Sequence, residues 1–144
     1  MDDLEKSMKV ASSSIFSLAL ATWFVHFNVI GTHFWEYHKF LNKFYDDSLE
    51  SFDGMSEEIR ALDLFAPASL SSFATLSVVE DMNTVKPALE MLHELLVDTE
   101  KVIQTLEEVN RLATEHIGLQ NFVQDRVDKY NKWAWMLRSF IQTL

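Results

Sequence analysis

Apolar residues recur along this chain at intervals of three and four, and no stretch alternates singly for the length of a strand. The clearest stripe is Leu89, Leu92, Leu95, Leu96, Val102, Ile103, Leu106 and Val109, one apolar face of a helix from about Thr84 to Ala113. Pro87 is expected in its first turn, where a missing N–H costs nothing. Breakers are few. Gly31, the run from Leu62 to Pro67, the run from Asn83 to Pro87, and Gly118 divide the chain. The other expected helices run from Asp3 to Ile30, from His33 to Leu62, and from Leu119 to Gln142. A short helix is expected within Ala68–Ser77. Four long helices in 144 residues make an all-α four-helix bundle, one domain over 1–144. The long link between the second and third helices suits a crossover better than a tight hairpin.

Composition narrows the chemistry. The 12 Lys and Arg stand against 22 Asp and Glu, a net charge of −10 that disfavours phosphate contacts. No cysteine is present, so any metal must be held by histidine, carboxylate or amide groups. The segment from Val10 to Ile30 is the most apolar, but Ser12, Ser13, Ser14, Ser17, Thr22, His26 and Asn28 interrupt it. The expectation is therefore no membrane span and, with an acidic start lacking a basic n-region, a cytoplasmic protein.

Candidate ligands gather on one face of the second helix. With 100° per residue, His38, Asn42, Asp46, Asp53 and Glu57 fall within a sector about a quarter-turn wide. His38 and Asp53 are nevertheless about 22 Å apart along a straight helix, too far to share one ion. The distance closes if two copies of this helix lie antiparallel about a two-fold axis, which would make two equivalent sites per dimer. His26 could join His38 across the bend at Gly31. Spacing alone favours a plainer account, a solvated charged face with two packed histidines. Glu90-Met-Leu-His93 is the one Glu-x-x-His motif, too few for a site inside a single subunit. His33 and His116 read as exposed or capping residues. Trp23, Phe24, Phe34, Trp35, Phe40, Phe44, Trp133 and Trp135 read as core and subunit interface.

The run His26-Phe-Asn-Val-Ile-Gly-Thr-His-Phe-Trp-Glu-Tyr-His38, then Asp53-Gly-Met-Ser-Glu57-Glu-Ile-Arg-Ala-Leu62, resembles the Dps family of mini-ferritins. The segment from Asn131 to Phe140 is similar to that family's last helix. The resemblance implies a ferritin-like bundle with a short helix in the crossover, assembled as a dodecamer from two-fold dimers into a hollow shell. It implies an intersubunit ferroxidase centre. His26 and His38 match its histidines, and Asp53 and Glu57 match the carboxylates from the partner subunit. Fe2+ would be oxidised there by peroxide or O2 and stored as ferric iron; zinc is another divalent ion such ligands take. Asn42 stands where the family has an aspartate, a weaker neutral ligand, with Asp46 one turn further as a possible stand-in. Phe27 stands where the family has tryptophan. Asn121 stands where an aspartate lines the family's three-fold iron channel, with Glu115 and Asp125 nearby. The family's DNA binding relies on basic extensions, which this acidic chain lacks, so direct DNA contact is not expected. The contrasting expectation is a structural or assembly protein, such as a virion component, with this fold and an impaired metal site.

Overall fold

The structure, a computed structural model, describes residues 2–144. Five helices account for most of them: α1 Asp3–Asn28, α2 Phe34–Ala61, α3 Leu70–Leu76, α4 Ala88–Leu112 and α5 Ile117–Ile141. There is no strand among the described residues. The all-α expectation holds, and most helix ends fall within a few residues of those the pattern predicts.

Local chemistry explains the ends. Asp2 caps α1, its carboxylate accepting from the Glu5 N–H at 2.7 Å. Gly31 sits at φ +123°, a region closed to most side chains, and turns the chain from α1 into α2. Asp63 at φ +63° ends α2, where Arg60 donates to the Leu64 carbonyl at 2.7 Å. Ser69 caps α3, accepting from the Ser72 N–H. Two punctuation marks differ from expectation. Pro87 lies just outside α4, as its cap, because the residue before a proline is pushed out of helical geometry; Thr84 to Lys86 are therefore not helical. Gly118 lies inside the first turn of α5, and the break falls instead at Ala113–His116.

The helices α1, α2, α4 and α5 form the bundle. Phe16 meets Phe52, so α1 and α2 run antiparallel; Gln120 and Gln124 both bond to Asn110, so α4 and α5 do too. Phe44 stacks on Trp133 and Phe40 meets Phe140, so α2 and α5 are also antiparallel. It follows that α2 and α4 run the same way. The chain between them must travel back along the bundle, which is the crossover carrying α3. That strap is pinned where the Val78 N–H donates to the buried Ser14 hydroxyl at 3.0 Å. Met8, Ile15, Leu18, Leu41, Met55, Ile59, Leu92, Leu95 and Leu106 fill the core without solvent exposure. By length and composition alone α1 would pass for a membrane span, despite its serines, but most of its apolar stretch is buried in the bundle.

Long side chains tie α2 to α5. Arg126 clamps Asp47 with two hydrogen bonds, at 2.7 and 3.1 Å, and the Trp133 indole N–H adds a third at 2.7 Å. Burial alone would raise the Asp47 pKa; the Arg126 and Trp133 hydrogen bonds, with the Arg126 and Lys129 charges, outweigh it and hold the carboxyl below its ordinary range. Gly54 gives α5 room, since a Cβ there would stand 2.8 Å from the Phe122 ring.

Breaking this clamp from one side strands a buried charge. Arg126→Met is expected to lower the unfolding free energy by about 3 kcal/mol in chemical denaturation, and adding Asp47→Leu should recover most of it. On α4, Asp98 sits half-buried beneath the crossover. Burial, opposed by Lys101 and reinforced by Glu94 and Glu80, pushes its pKa up to about 6. Its ionisation therefore costs stability above pH 6 and costs nothing below about pH 4. Asp98→Asn is expected to add about 1 kcal/mol near pH 7, allowing for solvent screening, with the gain gone by about pH 4 in a pH series of melts.

Candidate metal centre

α1 ends because its backbone ladder stops at the bond from the Val29 N–H to the Val25 carbonyl. The carbonyls beyond Val25, beginning with that of His26, have no helical donor. His38, one turn into α2, supplies one. Its Nδ1–H donates to the His26 carbonyl at 2.9 Å, and the His26 Nδ1–H donates to the His38 carbonyl at 2.9 Å. The two imidazoles stack with centroids 3.8 Å apart and planes 14° from parallel.

Using both Nδ1 atoms as donors assigns one tautomer to both rings. Each neutral ring keeps a lone pair on Nε2, the form in which imidazole binds metal. Electrostatics favours the neutral form of the His26 ring. Burial lowers the His26 pKa first; the bond to the His38 carbonyl opposes it, the His38 charge lowers it further, and Asp46 raises it, with a net downward shift. The sequence thus places His26 and His38 together across Gly31, as expected.

Aromatic rings border the pair. Phe34 stacks on His38 at 4.9 Å, and Phe27 and Tyr45 present edges to His26 at 5.2 and 5.3 Å. The Tyr45 hydroxyl donates to Asn42 Oδ1 at 2.8 Å, so Asn42 holds a phenol as well as facing the site. Three-residue spacing puts the two side chains on one helix face, but the bond itself depends on how far each side chain reaches. Asp46 is exposed and close enough for its charge to act on His26.

Asp53 and Glu57 lie further along α2, exposed. Nothing within the chain brings them to the histidines, and among the described residues no cluster of three or more His, Asp or Glu side chains forms a metal site. One chain therefore carries the candidate ligands as separate parts. Negative charge accumulates at the far part: burial raises the Glu58 pKa and the neighbouring Glu57 raises it further.

The remaining candidates are dispersed. Glu90 and His93 are exposed; His33 and His116 occupy the cap positions of α2 and α5 without a side-chain cap bond; Asn121 is exposed. Phe44 is core, and Phe40 and Trp133 pack against it. Trp35 and Trp135 are 62% and 59% exposed in the single chain, so they are not core. Both sit on faces of α2 and α5 that look away from the other helices of the subunit.

The family model of the ferritin-like domain matches residues 9–144. The chain belongs to the ferritin-like family. It is 30% identical over 121 residues to a low temperature-induced protein of Nostoc sp., covering 81% of this chain and 68% of that one. It is 26% identical over 119 residues to the DNA protection during starvation protein of Helicobacter pylori, covering 81% and 83% of the two. Its fold superposes on the Dps protein of Vibrio cholerae O1, described as a ferritin-like diiron-carboxylate protein, with a TM-score of 0.92 at 18% identity, covering 96% and 89% of the chains. The ferritin-like bundle with its crossover helix, and the Dps resemblance, are thereby borne out.

The histidine pair has a titration signature. The His26 ring is expected to titrate below its ordinary 6.5 by NMR in metal-free protein. A histidine whose pKa is lower folded than unfolded takes up its proton more readily unfolded. The metal-free protein should therefore lose stability as pH falls through about 6.5 and on towards the folded value. A His26 midpoint above 6.5 would contradict the neutral stacked pair.

Proposed function

We propose that this chain is the subunit of a Dps-like mini-ferritin that takes up and oxidises Fe2+ at sites shared between two subunits. The observation that carries the reading is the reciprocal His26–His38 bonding, which dedicates both Nδ1 atoms to carbonyls and reserves both Nε2 atoms for an ion. The same bonds that cap the end of α1 leave Nε2 as the free nitrogen of each ring, the arrangement metal-binding imidazoles use.

In this reading His26 and His38 supply nitrogen ligands from one subunit, and Asp53 and Glu57 supply carboxylates from its partner. The two-fold axis then makes two sites per dimer. Phe34 and Tyr45, packed against the histidines, limit water on their side of the pair, which strengthens the attraction between a cation and the carboxylates. Fe2+ is the substrate, peroxide or O2 the oxidant, and ferric iron the stored product inside a dodecameric shell. Zinc competes for the same ligands. Asn42 contributes at most a neutral oxygen, one lone pair of which accepts from Tyr45, and Asp46 supplies negative charge one turn away. The acidic surface, Asp125 and Glu115 included, suits cation entry more than DNA contact.

Light scattering should return the mass of about twelve subunits. Aerobic and peroxide-driven Fe2+ oxidation should fall roughly tenfold or more in His38→Ala and in Glu57→Ala, even though the two residues are far apart in one chain. Asn42→Asp should tighten Zn2+ binding about tenfold, because it adds one charge-assisted contact. Unchanged rates in both alanine variants would reject the shared site. An intact shell without iron oxidation would instead leave the structural or assembly role.

A further inference from the structure

The outer face of α2 carries its charges in an order that a lone helix does not favour. Lys39, Lys43, Asp46, Glu50, Asp53 and Glu57 follow one another at steps of four and three residues, and all six are exposed. At 100° per residue they fall within about 80° of one another, so they form one stripe. Elsewhere on its surface α2 packs against α1 and α5. Among the described residues, no ion pair joins any of the six to another group of the chain. Four of the five steps along the stripe join like charges, which weakens an isolated helix. A face that meets only solvent gains by mixing signs at these spacings. Here the two lysines stand together towards the start of α2, and the four carboxylates stand together towards its end.

That order is self-complementary. An antiparallel copy of α2, centred at position 48, sets Lys39 opposite Glu57 of the partner subunit and Lys43 opposite Asp53 of the partner subunit. One step further out it sets Glu36 opposite the partner's Arg60. Two-fold symmetry repeats each pair. Only Asp46 and Glu50 meet as like charges, at the centre. A parallel copy in register sets like against like throughout. Sliding the antiparallel copy by seven residues one way sets Glu36 against Asp53 and leaves Glu57 without a partner. Sliding it the other way sets carboxylate against carboxylate.

We propose that Lys39 and Lys43 are the resident counter-ions of the partner subunit's Glu57 and Asp53. They fix the register of two α2 helices, and a metal ion enters the shared site by displacing their ammonium groups. This rests on the function proposed above and gives a role to two residues outside the ligand set. Carboxylates gathered at an interface repel one another until a cation arrives, and a lysine on each removes that cost. Lys39 has a second seat ready. Its ammonium lies 5.3 Å from the centroid of the exposed Trp35 ring. That ring receives the ammonium once an ion has taken the carboxylates.

Exchanging charges tests the register. In metal-free protein, subunit association is followed by sedimentation over a dilution series. It is expected to weaken about tenfold or more in Lys43→Glu and in Asp53→Lys, since each sets like charges together. Lys43→Glu combined with Asp53→Lys should restore the parental association, and Lys43→Glu combined with Glu50→Lys should not. Restoration by the second combination, or by neither, overturns the proposal, and so does a chain that stays monomeric. Zn2+ calorimetry on the assembled protein tests the displacement. Lys39→Gln and Lys43→Gln together should tighten Zn2+ binding about tenfold. Lys132→Gln, whose lysine pairs with Asp128 on α5, should leave it unchanged. In the parent, Zn2+ should move the Lys39 ε-methylene resonances upfield under the Trp35 ring current, and Trp35→Leu should remove that shift. Zn2+ bound with these resonances unmoved overturns the displacement. Restored association without uptake of Zn2+ or Fe2+ keeps the register and rejects the displacement together with the shared metal site. Loss of iron oxidation in His38→Ala and Glu57→Ala, without restored association, keeps the metal site and rejects the register.

Discussion

The reciprocal pair of hydrogen bonds between His26 and His38 is the constraint on which the site depends. Each ring satisfies a backbone carbonyl of the other residue, so the contact is at once a helix-end cap, a hairpin brace and a choice of tautomer. It needs α1 to stop near Asn28 and α2 to begin soon after, with the chain reversed between them. Gly31 at φ +123° makes that reversal without strain. A side chain at this position would disturb the turn and, through it, the imidazoles. Geometry at the corner is thus set by backbone, and the chemistry is set by what the backbone leaves over.

Much of the fold was legible because helices announce themselves by period and by caps. The stripe through α4 and the helix lengths follow from the spacing of leucine, isoleucine and valine. The misplaced punctuation has physical causes. Pro87 acts on the residue before it, which keeps Lys86 out of the helix, and Gly118 is tolerated in a first turn whose amides lack helical partners in any case. Periodicity also exposed the shared face of His38, Asn42, Asp53 and Glu57. It could not show that Asn42 is engaged by Tyr45, or that Asp47 points the other way into a clamp with Arg126 and Trp133. Both depend on side-chain reach rather than on angle alone. Within one chain nothing joins the histidines to Asp53 and Glu57; helix spacing and the Dps resemblance both pointed to a partner subunit for that step.

The same helix serves two purposes that do not interfere. The buried side of α2 carries Leu41, Phe44, Met55 and Ile59 into the core, with Asp47 paired at its margin. The opposite side carries Asp46, Asp53 and Glu57 in solvent. Carboxylates on the outer side can therefore accumulate charge for a cation without destabilising the core, while the carboxylate that approaches the core has its arginine. Asp98 on α4 has only the neighbouring Lys101 to oppose its burial, and it is the one whose pKa rises to about 6.

The Arg126–Asp47 clamp also bears on the order in which the molecule is built. Its partners are 79 residues apart in sequence, whereas His26 and His38 are 12 apart. Closing a long loop costs more entropy than closing a short one, and local contacts form on faster timescales. The α1–α2 hairpin, with its histidine corner, can therefore assemble while the rest of the chain is still open. The clamp joins that hairpin to α5 only after the crossover has been laid down. The corner that presents the two imidazoles is the part that needs least of the chain to exist.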